Sequence, residues 1–311
     1  MSDRLVRNLI VALAVLAAGY ALVRFVASRG DDPASAAFDL AAVAEVEIDS
    51  AVFVAGDERV ALRGGSNWTV NGYEATPEAG DVLARALEQA RMGQLVSRNP
   101  ANHERLGVAE GQGRHLTIYS GGEGRLSLIV SEEGRSFDDA YVRRPGDDEV
   151  WLLRGNLADL TRKNVDGWRN KQIVSAVAEE IQRLEFVYPA ETQIFTLVRD
   201  SAAWRVDPWG EEATGDVSRL VREVASLRAI GFAPDSVAEA LTWETPTAGV
   251  RALGPGGAMI AELAFIAKDD TGYYVKLKDD PVIYSVSQFS GDQILKRAGD
   301  LISLEGPDTS G

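Results

Sequence analysis

The 311-residue chain has no cysteine. That absence excludes disulfides, thiolate zinc sites, iron–sulfur clusters and cysteine nucleophiles. Histidine is nearly absent too: His103 and His115 are the two, and they show no HxH, HxxxH or HExxH spacing. A zinc centre needs three or four ligands, so no metal and no cofactor is expected. Positive charge is scarce, with 32 Lys+Arg against 47 Asp+Glu and a formal net charge of −15. Such a balance argues against a nucleic-acid partner, whose phosphates demand basic surface. The sequence also lacks a G-x-S-x-G elbow, a P-loop lysine after its glycine clusters and a D-x-D-x-D-G calcium loop. Clusters such as Gly254-Pro255-Gly256-Gly257 read as hairpin turns.

What is abundant is acid. Eight identical doublets occur, from Asp31-Asp32 to Asp279-Asp280. Neighbouring carboxylates on a turn do not flank a scissile bond as a glycosidase pair must. Most of them sit at predicted hairpin turns, where Asp accepts backbone hydrogen bonds and stays hydrated. No catalytic residue is assigned, and the chain is expected not to be an enzyme.

One long apolar run stands near the start. From Leu9 to Val23 no residue is charged, and after Arg24 the run extends through Phe25 to Ala27. Nineteen residues make about 28 Å of helix, which matches a hydrocarbon core of about 30 Å. The apolar positions are Leu9, Ile10, Val11, Leu13, Val15, Leu16, Leu22, Val23 and Phe25, with Tyr20 placed as an interfacial aromatic. The run is read as an uncleaved single-pass anchor over residues 1–29; a signal peptide cleaved near Ala34-Ser35-Ala36 and a buried soluble helix are the alternatives. Arginines flank both sides, so charge alone does not set orientation. Residues 1–30 carry four arginines and one aspartate, leaving −18 on residues 31–311.

After a linker over 30–42, the chain states one pattern twice. The first unit, 43–164, opens on strands at Val43–Asp49, Arg59–Arg63 and Asn67–Val70. A helix over Pro77–Met92, capped by Thr76, follows, then strands at His115–Tyr119, Arg125–Val130, Ala140–Arg143 and Glu149–Leu153 and a helix near Asn156–Lys163. A connecting segment, 165–181, includes Trp168 and the helix-like Val174–Ile181. The second unit, 182–300, repeats the order: strands at Gln182–Tyr188, Gln193–Arg199 and Ala203–Val206, and a helix at Asp216–Arg228. Four strands over Ala248–Leu253, Met259–Ala267, Tyr273–Lys278 and Val282–Val286 follow, then a helix at Phe289–Arg297. Residues 301–311 are read as a flexible tail. Trp68 matches Trp204, Gly80-Asp81-Val82 matches Gly215-Asp216-Val217, and Tyr141-Val142 matches Tyr274-Val275. The fold class is α+β: tandem duplicated units, each an antiparallel sheet or meander with amphipathic helices, after one N-terminal transmembrane helix.

Several of these features together resemble a known family. They are the N-terminal apolar run, Trp204-Arg205-Val206-Asp207-Pro208, Ala229-Ile230-Gly231-Phe232, Leu106-Gly107-Val108 and Trp168-Arg169-Asn170-Lys171-Gln172-Ile173. The chain resembles the DUF4340 family of bacterial membrane-anchored proteins over roughly residues 43–300. Leu241-Thr242-Trp243-Glu244-Thr245-Pro246 matches its Gly-Leu and Pro pattern in part. The resemblance implies a bacterial membrane-anchored protein in the company of ABC-type transporter components. The usual behaviour of a short N-terminal anchor, N-terminus inside and large domain exported, gives the expectation of an inner-membrane protein with its C-terminal domain in the periplasm. It carries over no catalytic residue. The expected function is a non-enzymatic, membrane-anchored accessory or scaffold module. The alternatives are a small-molecule or glycan binder using a cleft between the repeats, and an Asp/Glu-dependent hydrolase. Trp209, in the acidic turn Asp207–Glu212, is the candidate contact for a protein partner.

Overall fold

The computed structural model describes residues 38, 40–136, 139–201, 203–269 and 271–302. The expected anchor lies outside the described residues, among which no helix is long and apolar enough to cross a membrane. The chain divides into two units after Arg169.

In the first unit, α1 (Leu40–Ala44) precedes β1 (Ser50–Ala55), β2 (Glu58–Arg63), β3 (Thr69–Val70) and β4 (Tyr73–Glu74). Then come α2 (Ala79–Gln89), β5 (Arg91–Ser97), β6 (Arg114–Ser120), β7 (Glu123–Val130), β8 (Asp139–Arg143), β9 (Val150–Arg154), α3 (Leu157–Arg162) and α4 (Val165–Trp168). In the second, β10 (Arg183–Tyr188), β11 (Gln193–Asp200), β12 (Ala203–Asp207) and β13 (Glu211–Glu212) lead to α5 (Val217–Ala225). β14 (Gly231–Phe232), α6 (Asp235–Ala238), β15 (Ala248–Leu253), β16 (Met259–Lys268), β17 (Gly272–Leu277), β18 (Ile283–Ser287) and α7 (Gln288–Ile294) complete it.

Each unit forms one antiparallel sheet, and the two strand orders are the same. The first runs β4-β3-β2-β1-β6-β7-β8-β9-β5 and the second β13-β12-β11-β10-β15-β16-β17-β18-β14. Matched pairs sit in matched registers. Buried Leu62 opposes buried Val70 as buried Leu197 opposes buried Val206. Val142 opposes Trp151 as Val275 opposes Tyr284.

One face of each sheet carries an amphipathic helix. α2 buries Leu83, Ala86 and Leu87, and α5 buries Val217, Leu220, Val221 and Val224, the spacing of a single helical stripe. The stripes share one spacing: Ala79, Leu83, Ala86 and Leu87 in α2 repeat as Val217, Val221, Val224 and Ala225 in α5. The matched glycines differ in purpose. A Cβ on Gly80 would lie 2.7 Å from the Trp68 ring, whereas Gly215 holds a φ of +85° that a side chain would strain.

Other local expectations are corrected. Val43 and Ala44 end α1, and the first strand begins at Ser50; the alanine-rich Leu40–Ala44 favours helix, and the β-branched and aromatic residues of Ser50–Ala55 suit a sheet. Thr76 does not cap α2: its hydroxyl donates to Glu78 at 2.6 Å, and Glu78 holds the cap position. The helix ends at Gln89, and Met92 belongs to edge strand β5. Val174–Ile181 is helical only in the 3₁₀ turn Ala178–Glu180. There the N–H groups of Ile173, Val174 and Ala176 donate to carbonyls of Leu227 and Ala225, so tertiary bonds override the local helical pattern. Leu301 and Ile302, at the start of the expected tail, are buried in the second core.

Candidate functional site

The shared strand order sets a shared problem. Strand β5 lies at the sheet edge beside β9, yet the next strand, β6, pairs with β1 and β7. Residues 98–113 must therefore cross the sheet on the face away from α2. In the second unit, residues 233–247 make the equivalent crossing from β14 to β15. The two crossings are built differently.

In the first unit the crossing is sealed. Leu106 and Val108 pack on Ile129 and Val150 in a small apolar cluster separate from the main core. Burial along the end of β7 is continuous through Leu128, Ile129 and Val130, the mark of a strand covered on both faces. Arg143 closes the seal and is only 3% exposed. Its Nε donates to the Val108 carbonyl at 2.5 Å, Nη1 reaches the Arg144 and Asp147 carbonyls, and Nη2 pairs with Glu110 Oε1 at 2.9 Å. Both histidines lie nearby. His115 Nε2 is 3.6 Å from Glu110, and His103 Nε2 is 3.1 Å from the Asp148 carbonyl.

In the second unit the same face is open. Burial along β16 alternates from Ile260 to Ile266, as in a sheet with one uncovered face. Trp243 and Pro246 of the crossing wall a groove of about 390 Å³ over β10, β15, β16 and β17. Register places Val187, Gly249, Ala264 and Lys276 in one row across its floor. The corresponding row of the first unit is Val54, His115, Ile129 and Arg143. Histidine has become glycine and isoleucine alanine, which empties the space. A Cβ on Gly249 would meet nothing closer than 3.9 Å, so steric crowding does not require the glycine. Exposed Ile194 opposes Val187 and continues the apolar row beyond the groove.

The charges sort into two groups. Glu262 binds Arg251 at 2.8 Å and Lys278 at 2.8 Å, and Glu185 lies 3.9 Å from Arg251. Hydrogen bonds from Lys278 and Arg251, opposed by partial burial, hold the Glu262 carboxyl below its ordinary value; the same pairing raises Lys278. Lys276 occupies the place of Arg143 and has no carboxylate partner among the described residues. Its Nζ lies 5.9 Å from the Trp243 ring centroid, within cation–π range. The Trp243 indole N–H is buried without a hydrogen-bond partner among the described residues.

With this geometry in view, a family model for a domain of unknown function (DUF4340) matches residues 68–246, more than half of the chain. The chain belongs to the DUF4340 family. The matched span runs from Trp68, which packs against Gly80, to Pro246 in the groove wall of this DUF4340 protein. No curated protein and no solved structure matches the chain.

The residues singled out from sequence fall in different places. Leu9, Ile10, Val11, Leu13, Val15, Leu16, Tyr20, Leu22, Val23 and Phe25 lie outside the described residues. Trp209 is 42% exposed in the turn between β12 and β13, on chain segments that do not line the groove. Trp168, placed in the connecting segment, is fully buried in the first core and stacks on Phe53 at 5.9 Å. Among the described residues no group of three or more His, Asp or Glu could hold a metal ion. Lys276 and Trp243 escaped the sequence reading. The available signal was a glycine and an alanine at interior strand positions whose repeat counterparts are large.

Proposed function

We propose that this protein is a non-enzymatic, membrane-anchored periplasmic accessory module of a transport system, in which the first unit is structural and the second binds. One observation carries this reading: the same cation-bearing face is sealed by Leu106, Val108 and Arg143 in one unit and open beneath Trp243 in the other. Such divergence within a repeat is what a binding role confined to one copy produces. Apolar concavities with a few polar groups are the usual form of small-molecule sites. The apolar run at Leu9–Ala27 supports tethering. The test is native mass spectrometry of the full chain purified from its own membranes, comparing wild type with Gly249→Leu, which fills the groove. A small molecule retained by wild type and absent from the variant supports the reading; identical spectra contradict it.

A second surface favours a protein partner. Exposed Trp209 offers a rigid apolar anchor of the kind enriched at interface centres. Affinity purification of the full chain recovers transporter components with wild type and fewer with Trp209→Ala on this reading. Recovery of none counts against the transport role.

A further inference from the structure

The two rows across the sheets allow the ligand's chemistry to be read from the protein itself. In the first unit the cation at the end of the row, Arg143, is met by the Glu110 carboxylate at 2.9 Å, delivered by the crossing segment. Apolar side chains of the same segment, Leu106 and Val108, cover the rest of the face. In the second unit the matching cation, Lys276, has no carboxylate among the described residues, and the space over Gly249 and Ala264 is empty. The crossing there supplies Trp243 and Pro246 as walls but no acid to Lys276.

We infer that the groove of the second unit binds a compact monocarboxylate with an apolar body. Its carboxylate meets Lys276 as Glu110 meets Arg143, and its body lies on Val187, Gly249 and Ala264 against the Trp243 ring. This inference rests on the binding reading above and adds the chemical class. Competing cations are already committed. Arg251 and Lys278 are held by Glu262, so a single carboxylate, rather than a polyanion, suits the site. A cationic ligand would face Lys276 directly, charge against like charge. An ammonium on a flexible stem is suited to an exchangeable point contact, where the fork of Arg143 suits a permanent seal. The groove volume of about 390 Å³ lies within the range of small-molecule sites.

The experiment is isothermal titration of the full chain in lipid nanodiscs, with empty nanodiscs subtracted. Three probes share one body and differ in head charge: 3-phenylpropanoate, 3-phenylpropan-1-ol and 3-phenylpropylamine. The expected result is one-to-one binding of the carboxylate, at least about tenfold tighter than the alcohol, about 1.4 kcal/mol, with the amine weakest. Lys276→Met should remove the preference for the carboxylate while leaving the alcohol unchanged, and Gly249→Leu should abolish binding of all three. Equal affinity for the alcohol and the carboxylate, or a preference surviving Lys276→Met, overturns the chemical class while leaving the groove a binding site. Absence of binding by every probe overturns the inference, while the binding reading stands or falls separately on whether a native molecule is retained in mass spectrometry.

Discussion

Arg143→Met isolates the polar lock that closes the first unit, because methionine keeps much of the apolar stem and removes the guanidinium. Four contacts are lost, and their worth differs. The Val108 carbonyl belongs to a fully buried residue, so it loses a charge-assisted bond and is left without a partner. An orphaned buried acceptor costs about 1–3 kcal/mol. The Arg144 and Asp147 carbonyls sit on exposed residues and return to water at little cost. Glu110 is 63% exposed, and its exposed side of the pair is worth below about 1 kcal/mol after solvent screening. The sum is a destabilisation of about 1–4 kcal/mol. At about 2–4 °C per kcal/mol, the first unit's melting temperature falls by about 2–16 °C. The two units need not unfold together, so calorimetry is paired with hydrogen exchange, in which amides of residues 103–110 lose protection first. Glu110→Gln is the control, with a drop of no more than about 3 °C by the same scaling. Equal effects from the two variants, with residues 103–110 still protected, would refute the assignment of Arg143 as the lock.

The glycines give a second test: Gly80→Ala drives a methyl group into the Trp68 ring and costs about 1–3 kcal/mol in urea unfolding. Gly249→Leu, whose Cβ meets nothing closer than 3.9 Å and whose remaining atoms enter the groove, leaves stability equal or higher. Asp216 caps α5 by accepting from the Arg219 N–H at 3.0 Å, so Asp216→Ala costs about 1 kcal/mol, while Thr76→Ala, at a position that does not cap, costs less by the same measurement. Glu262 has a lowered pKa in the folded chain, so it binds fewer protons there than when unfolded. Its contribution is full above the ordinary carboxylate value of 4.5 and is lost as pH falls through the lower folded value. Thermal melts from pH 7 to pH 3 therefore show a steeper acid loss for wild type than for Glu262→Gln; parallel curves would contradict the pairing.

The duplication was legible because burial writes itself into the sequence as period. Trp68 and Trp204, and Tyr141-Val142 and Tyr274-Val275, register because their side chains or strand neighbours fill the same layers of matching cores. The second-unit strands were read almost to the residue, since alternation from Met259 to Ala267 follows a sheet with one covered face. The first unit was harder. The strand expected at Val43–Asp49 falls on the end of α1 and the residues before β1, and β1 and edge strand β5 carried no expected strand, whereas β7 and β9 under the crossing match their expected spans to within two residues. Two-residue strands such as Gly231–Phe232 are too short to show a period. Val174–Ile181 carries a helical pattern that its bonds to the end of α5 override. The groove was illegible for a different reason: it is a difference between copies. Lys276 looks like any surface lysine until register sets it opposite the place of Arg143, and Gly249 looks like a weak strand residue until His115 marks what is missing.

The central claim is that binding belongs to the second unit alone, and hydrogen exchange of the full chain in nanodiscs, with and without 3-phenylpropanoate, tests it most directly. Added carboxylate should protect amides across 243–251 and 262–276 and leave 103–115 and 126–143 unchanged. Protection of the first unit's sealed face, or no change in either unit at saturating probe, would contradict the account.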